Sequence, residues 1–305
     1  MLGVNCSSSS RGRTYQSYSL MLLFNDNLGE PIGGGLKVGF YAKSCPEAED
    51  IVKKVIFQTI STTPSLAGPL LRMHFHDCFV RIIDKAKSAL EKACPGVVSC
   101  ADVVAITARD VVSATNGAHW DVETGRRDGR VSNITEAFLN LLPPTANITI
   151  LKAGFAQKGL SAKDLVVLSG GHTIGTSHCT SFSNRLYNFT GKGDTDPTLD
   201  PNYIARLKLK CKPNDQKTLV EMDPGSFKTF DQTYFTLVTK RRGLFQSDAA
   251  LLDDSETKAY VQSHAAAVGK SSFFKDFGVS MVNMGRIGVL TGNAGEIRKV
   301  CSKIN

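Results

Sequence analysis

Eight cysteines, at positions 6, 45, 78, 94, 100, 179, 211 and 301, are spread over this 305-residue chain, and no two form a C-x-x-C pair. Zinc ribbons and thioredoxin-type centres need such pairs, because two sulfurs must reach one ion or each other, so both are excluded. Cysteines this far apart close long loops instead, and bridges of that kind persist only in an oxidising compartment. Their spacing does not choose among the many pairings that eight allow. Four N-x-S/T sequons begin at Asn5, Asn133, Asn147 and Asn188. Together with the cysteines they predict a secreted, glycosylated chain.

The N-terminus fits a secretory leader imperfectly. Arg11 and Arg13 supply a basic region, but the apolar stretch Leu20 to Phe24 has only five residues, where a signal peptide shows ~7–15. Residues 1–35 are therefore an atypical segment, unstructured or an imperfect signal, and the folded domain is expected over 36–305. Of the whole chain, 42% is hydrophobic, enough to build a packed core and exclude wholesale disorder. No apolar run approaches the ~18 residues of a membrane span. The formal charge of +8 suits an acidic polymer or an anionic surface, and equally an ordinary solvated exterior.

From Gly39 onward the apolar spacing is helical, without sustained alternation. Helices are expected over 47–60, 66–80, 82–93, 99–114, 148–158, 161–168, 202–210, 232–241, 255–268 and 272–284. Gly159 is placed as a C-cap, Ser161-x-x-Asp164 as a helix start, and Gly170-Gly171 as an interruption. The fold class is mostly α. G-x-S-x-G, Walker A, G-x-G-x-x-G and H-E-x-x-H are all absent, which removes serine hydrolases, P-loop NTPases, Rossmann dehydrogenases and zincins from the leading readings.

Two clusters carry chemistry. In L-R-M-H-F-H-D-C-F (71–79), Arg72 and His76 stand at i, i+4 on a predicted helix. A neutral imidazole takes and returns a proton near pH 7, and a fixed guanidinium stabilises developing negative charge. In L-S-G-G-H-T-I-G (168–175), glycines around His172 allow close approach to something bulky and planar, or simply a sharp helix break.

R-M-H-F-H-D-C-F-V and D-L-V-V-L-S-G-G-H-T-I-G strongly resemble the two haem signatures of the secretory plant (class III) peroxidases. F-Y-A-K-S-C-P (40–46), C-P-G-V-V-S-C-A-D (94–102), G-R-R-D (125–128) and G-L-F-Q-S-D (243–248) extend the match in family order over residues 36–305. The resemblance implies a haem-peroxidase fold, with haem b between a distal and a proximal helical half. It implies oxidation of small phenolic donors by hydrogen peroxide, in a secreted monomer of the wall or extracellular space, with the vacuole as a second destination. No nucleic-acid or membrane partner is implied. His172 becomes the axial iron ligand, Asp248 the carboxylate behind it, and His76 and Arg72 the distal catalytic pair. A proximal calcium site maps onto Thr173, Asp223, Ser226, Thr229 and Asp231. Disulfides map onto Cys45–Cys94, Cys100–Cys301 and Cys179–Cys211. The substrate-contact proline falls on Leu142 in the ungapped register and on Pro143 after a one-residue shift.

One departure is large. Family members continue after F-V-R with a G-C-D-G-S segment and a few dozen further residues, whereas here Arg81 runs directly into Ile82-Ile83-Asp84. Of the distal calcium ligands only Asp77 and Val80 remain, and Cys78 and Cys6 lack assigned mates. The expected outcome is one calcium site rather than two, and a peroxidase of reduced activity. The alternative is a non-catalytic secreted protein of the same fold that binds acidic wall polysaccharide through its +8 charge.

Overall fold

Ser99, Asn147, Ser161 and Asp200 each turn a side-chain oxygen toward a free N–H at a helix start, at 3.1, 3.0, 3.0 and 2.8 Å. Each such cap is worth about 1 kcal/mol and fixes where the helix begins. The computed structural model in which these caps appear describes residues 35–73, 80–131, 140–266 and 272–305. Its described residues divide into two compact units, one within Gly3–Asn140 together with Val282–Asn305 and one within Leu141–Met281.

The first unit contains β1 (Lys37–Val38), α1 (Ala48–Thr62), α2 (Ala67–Met73), α3 (Val80–Ala93), α4 (Cys100–Ala114) and β2 (Glu123–Thr124). Its centre is α4, in which every residue from Cys100 to Val112 is buried. Against it pack the apolar face of α1, Val52, Val55, Ile56 and Ile60, and helix α3, whose Ile83, Ala86 and Leu90 are wholly enclosed. Burying a side chain of this size contributes about 1.5–3 kcal/mol. The sequence predicts the third helix from Ile82; it begins at Val80 and runs without a break through the Arg81–Ile82 junction.

The G-R-R-D motif is a brace for the start of α4. Asp128 accepts the N–H groups of Cys100 and Ala101 at 3.1 and 2.9 Å, and that of Arg298 at 2.9 Å. Asp102, fully buried, accepts from Tyr41 Oη at 2.7 Å, from Gly125 N at 2.7 Å and from Arg126 Nη1 at 2.9 Å. Gly125 has φ +117, and a Cβ there would stand 2.6 Å from the Gly35 carbonyl oxygen, so no other residue fits. Disulfides Cys45–Cys94 and Cys100–Cys301 complete this unit.

The second unit holds α5 (Ile148–Gln157), α6 (Ala162–Ser169), β3 (Thr176–His178), α7 (Ser183–Tyr187), α8 (Pro201–Lys210), β4 (Leu219–Glu221), α9 (Thr233–Thr239), α10 (Gln246–Ala250), α11 (Ser255–Ala266) and most of α12 (Phe273–Met284). Gly159, at φ +72, ends α5 by donating to the Ala156 carbonyl. Strands β3 and β4 pair antiparallel, with Ser177 opposite Val220. The Cys179–Cys211 bridge leads out of them over a cluster of Phe182, Leu186, Tyr203 and Met222. Closing a loop of 32 residues stabilises by about 4 kcal/mol on chain entropy. These short strands, α7 and α10 are too brief for periodicity to reveal. The three bridges join the cysteine pairs that the family resemblance implies.

Candidate active site

Helix α6 opens with a reciprocal cap between Ser161 and Asp164 and gives way to a 3-10 turn, Gly170–Thr173, that carries His172. Gly170 is required there, since a Cβ would lie 2.5 Å from the Phe273 ring. His172 hydrogen-bonds through Nδ1 to Asp248 Oδ1 at 2.8 Å and is 37% exposed. A carboxylate on Nδ1 fixes the tautomer and leaves Nε2 to ligate. The Phe245 and Tyr234 rings stand edge-on to the imidazole at 5.1 and 5.9 Å.

Asp248 sits in the first turn of α10, 1% exposed. Besides His172, it accepts Tyr234 Oη on Oδ1 at 2.9 Å and the Phe245 N–H on Oδ2 at 2.9 Å. Burial pushes its carboxyl up, but the His172 charge and these hydrogen bonds outweigh that and hold it below the usual range. Burial, then the Asp248 charge, lifts the Tyr234 phenol well above its ordinary value, so the hydroxyl donates at any working pH. The backbone that delivers Asp248 is itself fixed. Buried Arg185 donates through Nη1 to the carbonyls of Gly243, Leu244 and Phe245 at 2.7, 2.8 and 2.8 Å. At Gly243 a Cβ would stand 2.6 Å from the Asp248 Cβ, so the G-L-F-Q-S-D motif needs its glycine.

Beside His172, the Thr173 hydroxyl lies 3.1 Å from Asp231 Oδ1 and 3.5 Å from Asp223 Oδ2. Ser226 Oγ donates to Asp231 Oδ2 at 2.5 Å, and Thr229 N–H bonds the Ser226 carbonyl at 2.8 Å in the same loop. Burial, then the facing Asp231, push the Asp223 carboxyl up to about 7. Two crowded carboxylates with hydroxyl and carbonyl oxygens form the hard donor set that suits Ca²⁺. Among the described residues no group of three or more His, Cys, Asp or Glu is arranged to hold a metal ion by itself, so hydroxyl and carbonyl oxygens would have to complete this donor set.

Arg72 occupies the last turn of α2 and is exposed. His76, Asp77 and Cys78 lie outside the described residues, as do Cys6 and the sequons at Asn5 and Asn133. Val80 is the first residue of α3. Asn147 and Asn188 are exposed. Leu142 is turned onto Gly154 of α5, whereas Pro143 is exposed. Tyr234 and Arg185 went unread in the sequence. Nothing local marks either one: Arg185 acts on backbone 58 to 60 residues away, and Tyr234 on a carboxylate 14 residues on in a different helix.

The family model described as Peroxidase matches residues 80–267. The chain belongs to the peroxidase family, with the mostly helical haem-peroxidase fold, and it is an enzyme that oxidises donor substrates with hydrogen peroxide. It is similar to Peroxidase 56 of Arabidopsis thaliana, 59% identical over 300 residues that cover 89% of this chain and 91% of the relative. Peroxidase 27 of the same plant is 59% identical over 300 residues, covering 89% and 92%. Peroxidase 1 of Oryza sativa subsp. japonica is 54% identical over 300 residues, covering 87% and 92%. Haem and calcium are general to this family, and the non-catalytic alternative is not favoured. No helix among the described residues is long and apolar enough to cross a membrane.

Proposed function

We propose that this chain is a secreted peroxidase acting on small phenolic donors, with His172 as the axial ligand of haem b. The observation that carries this is the 2.8 Å bond from His172 Nδ1 to buried Asp248, which leaves Nε2 free on a partly exposed ring. Glycines on either side of His172 and edge-on aromatic rings suit a large planar group. When bound, haem supplies the redox chemistry of peroxide reduction and of two one-electron donor oxidations. Asp248 holds the imidazole in one tautomer and increases its basicity. On the distal side, His76 takes a proton from hydrogen peroxide and returns it to the departing oxygen, while Arg72 stabilises the negative charge that develops there. Pro143, exposed, is the candidate donor contact.

Thr173, Asp223, Ser226, Thr229 and Asp231 would hold one calcium ion beside His172, while Asp77 and Val80 are the remnant of a second site that is lost. The peroxidase domain spans 36–305, with the missing segment at Arg81/Ile82. The 300 positions aligned with the Arabidopsis relative take in only 89% of these 305 residues, so that alignment carries gaps on this side. Three disulfides and the exposed sequons at Asn147 and Asn188 support an extracellular or wall location. The +8 charge suits contact with acidic polysaccharide, and a monomer is expected.

The test is haem retention. His172→Ala should lose haem, whereas His119→Ala should keep it. Equal haem content in the two variants overturns the assignment.

A further inference from the structure

We infer that Tyr234 is a positioning residue for the peroxidase reaction, setting through Asp248 how strongly the His172 imidazole donates electrons to the haem iron. The inference rests on the reading of His172 as the axial ligand. Its basis is that one carboxylate oxygen serves two donors: Asp248 Oδ1 receives His172 Nδ1 at 2.8 Å and Tyr234 Oη at 2.9 Å. The other oxygen is engaged by the Phe245 N–H at 2.9 Å. Tyr234 and Asp248 are 2% and 1% exposed, so water neither screens these bonds nor replaces them.

A phenylalanine would fill the Tyr234 volume against the Phe235 and His172 rings equally well. What the tyrosine adds is a hydroxyl in a dry site, unfavourable there unless bonded, and its bond goes to the oxygen that the proximal histidine uses. Two donors on one oxygen compete for the same electron density. The phenol therefore weakens the pull of Asp248 on the Nδ1 proton and keeps the imidazole short of imidazolate. Without that hydroxyl, Asp248 becomes the stronger acceptor, the ring more electron-rich, and ferric iron better stabilised relative to ferrous.

The experiment uses the haem-loaded protein. Tyr234→Phe should lower the ferric/ferrous midpoint potential and raise the iron–imidazole stretching frequency of the ferrous form. Asp248→Asn should move both the other way. In the Asp248→Asn background, adding Tyr234→Phe should shift the potential by less than half of its effect alone, since the phenol acts through that carboxylate. A fluorinated tyrosine at 234, a stronger donor of nearly the same size, should raise the potential. If Tyr234→Phe fails to retain haem, the fluorinated residue decides: a rise supports the inference and an unchanged potential overturns it. A Tyr234→Phe protein with unaltered potential and stretch, or equal shifts in both backgrounds, also overturns it. Failure of the underlying ligand reading looks different, since His172→Ala would then keep its haem.

Discussion

Arg185 and Asp196 meet at 2.6 Å with 1% and 0% of their side chains exposed, and the pair anchors the backbone that presents Asp248 to His172. Arg185 reaches three successive carbonyls only while its charge is balanced from the other side. Asp196→Ala should leave a guanidinium buried without a counter-charge, a loss of about 3–5 kcal/mol. Chemical denaturation measures it directly. A variant within 1 kcal/mol of the parent, below that range, contradicts this reading of the pair.

Calcium content is the second test. The donors gathered around Asp223 and Asp231 are expected to hold one ion per chain, and Asp231→Ala should release it. Because Thr173 follows His172 directly, chelation should also disturb the haem absorption bands. Metal analysis that finds two tightly held ions would contradict the loss of the distal site.

Asp110 predicts a pH signature of stability. It is wholly buried beside Arg109, 2.7 Å from its Nε, and its Oδ2 has no hydrogen-bond partner among the described residues. Burial raises its carboxyl to about 6 against the opposing pull of Arg109. An unfolded aspartate titrates near ~3.9, so between that value and about 6 the folded chain holds a proton that the unfolded chain has released. Stability from this group is therefore full below pH ~4 and is lost as pH rises through about 6. Asp110→Asn should remove this slope, gaining roughly 2–3 kcal/mol on the parent across the window. Parallel stability–pH curves for the two proteins would refute the assignment.

The Arg81–Ile82 junction sets the last expectation. On the proposed reading Arg72 and His76 remain, but the segment that carries the family's distal calcium ligands, the Cys78 partner and the residues supporting the distal histidine does not. Loss of one such partner typically costs ~10–100-fold. Restoring a family segment there should raise the rate of the first step with peroxide by at least that factor, and Cys78 should react with a thiol reagent in the unrestored protein. Rates that agree within about 3-fold, well under that range, would show that the segment is dispensable.

Much of this was legible in the chain itself. Helices such as those expected over 47–60, 99–114 and 161–168 could be placed because a buried helix face repeats every three to four residues, a pattern local to each segment. The caps at Ser99 and Ser161 lie within three residues of their targets. His172 stood out because glycines next to it in sequence prepare its turn. The family resemblance then supplied partners that spacing alone could not, such as Asp248 and the cysteine pairs. What only the tertiary structure decided is which distant groups converge. From a third helix, Tyr234 reaches the Asp248 oxygen that His172 uses, and Arg185 pins the backbone leading to Asp248 from 58 to 60 residues away. G-R-R-D, which reads as a motif like the others, is the brace under α4. These contacts are set by burial and packing, which act between segments far apart in the chain, so no window of sequence contains them.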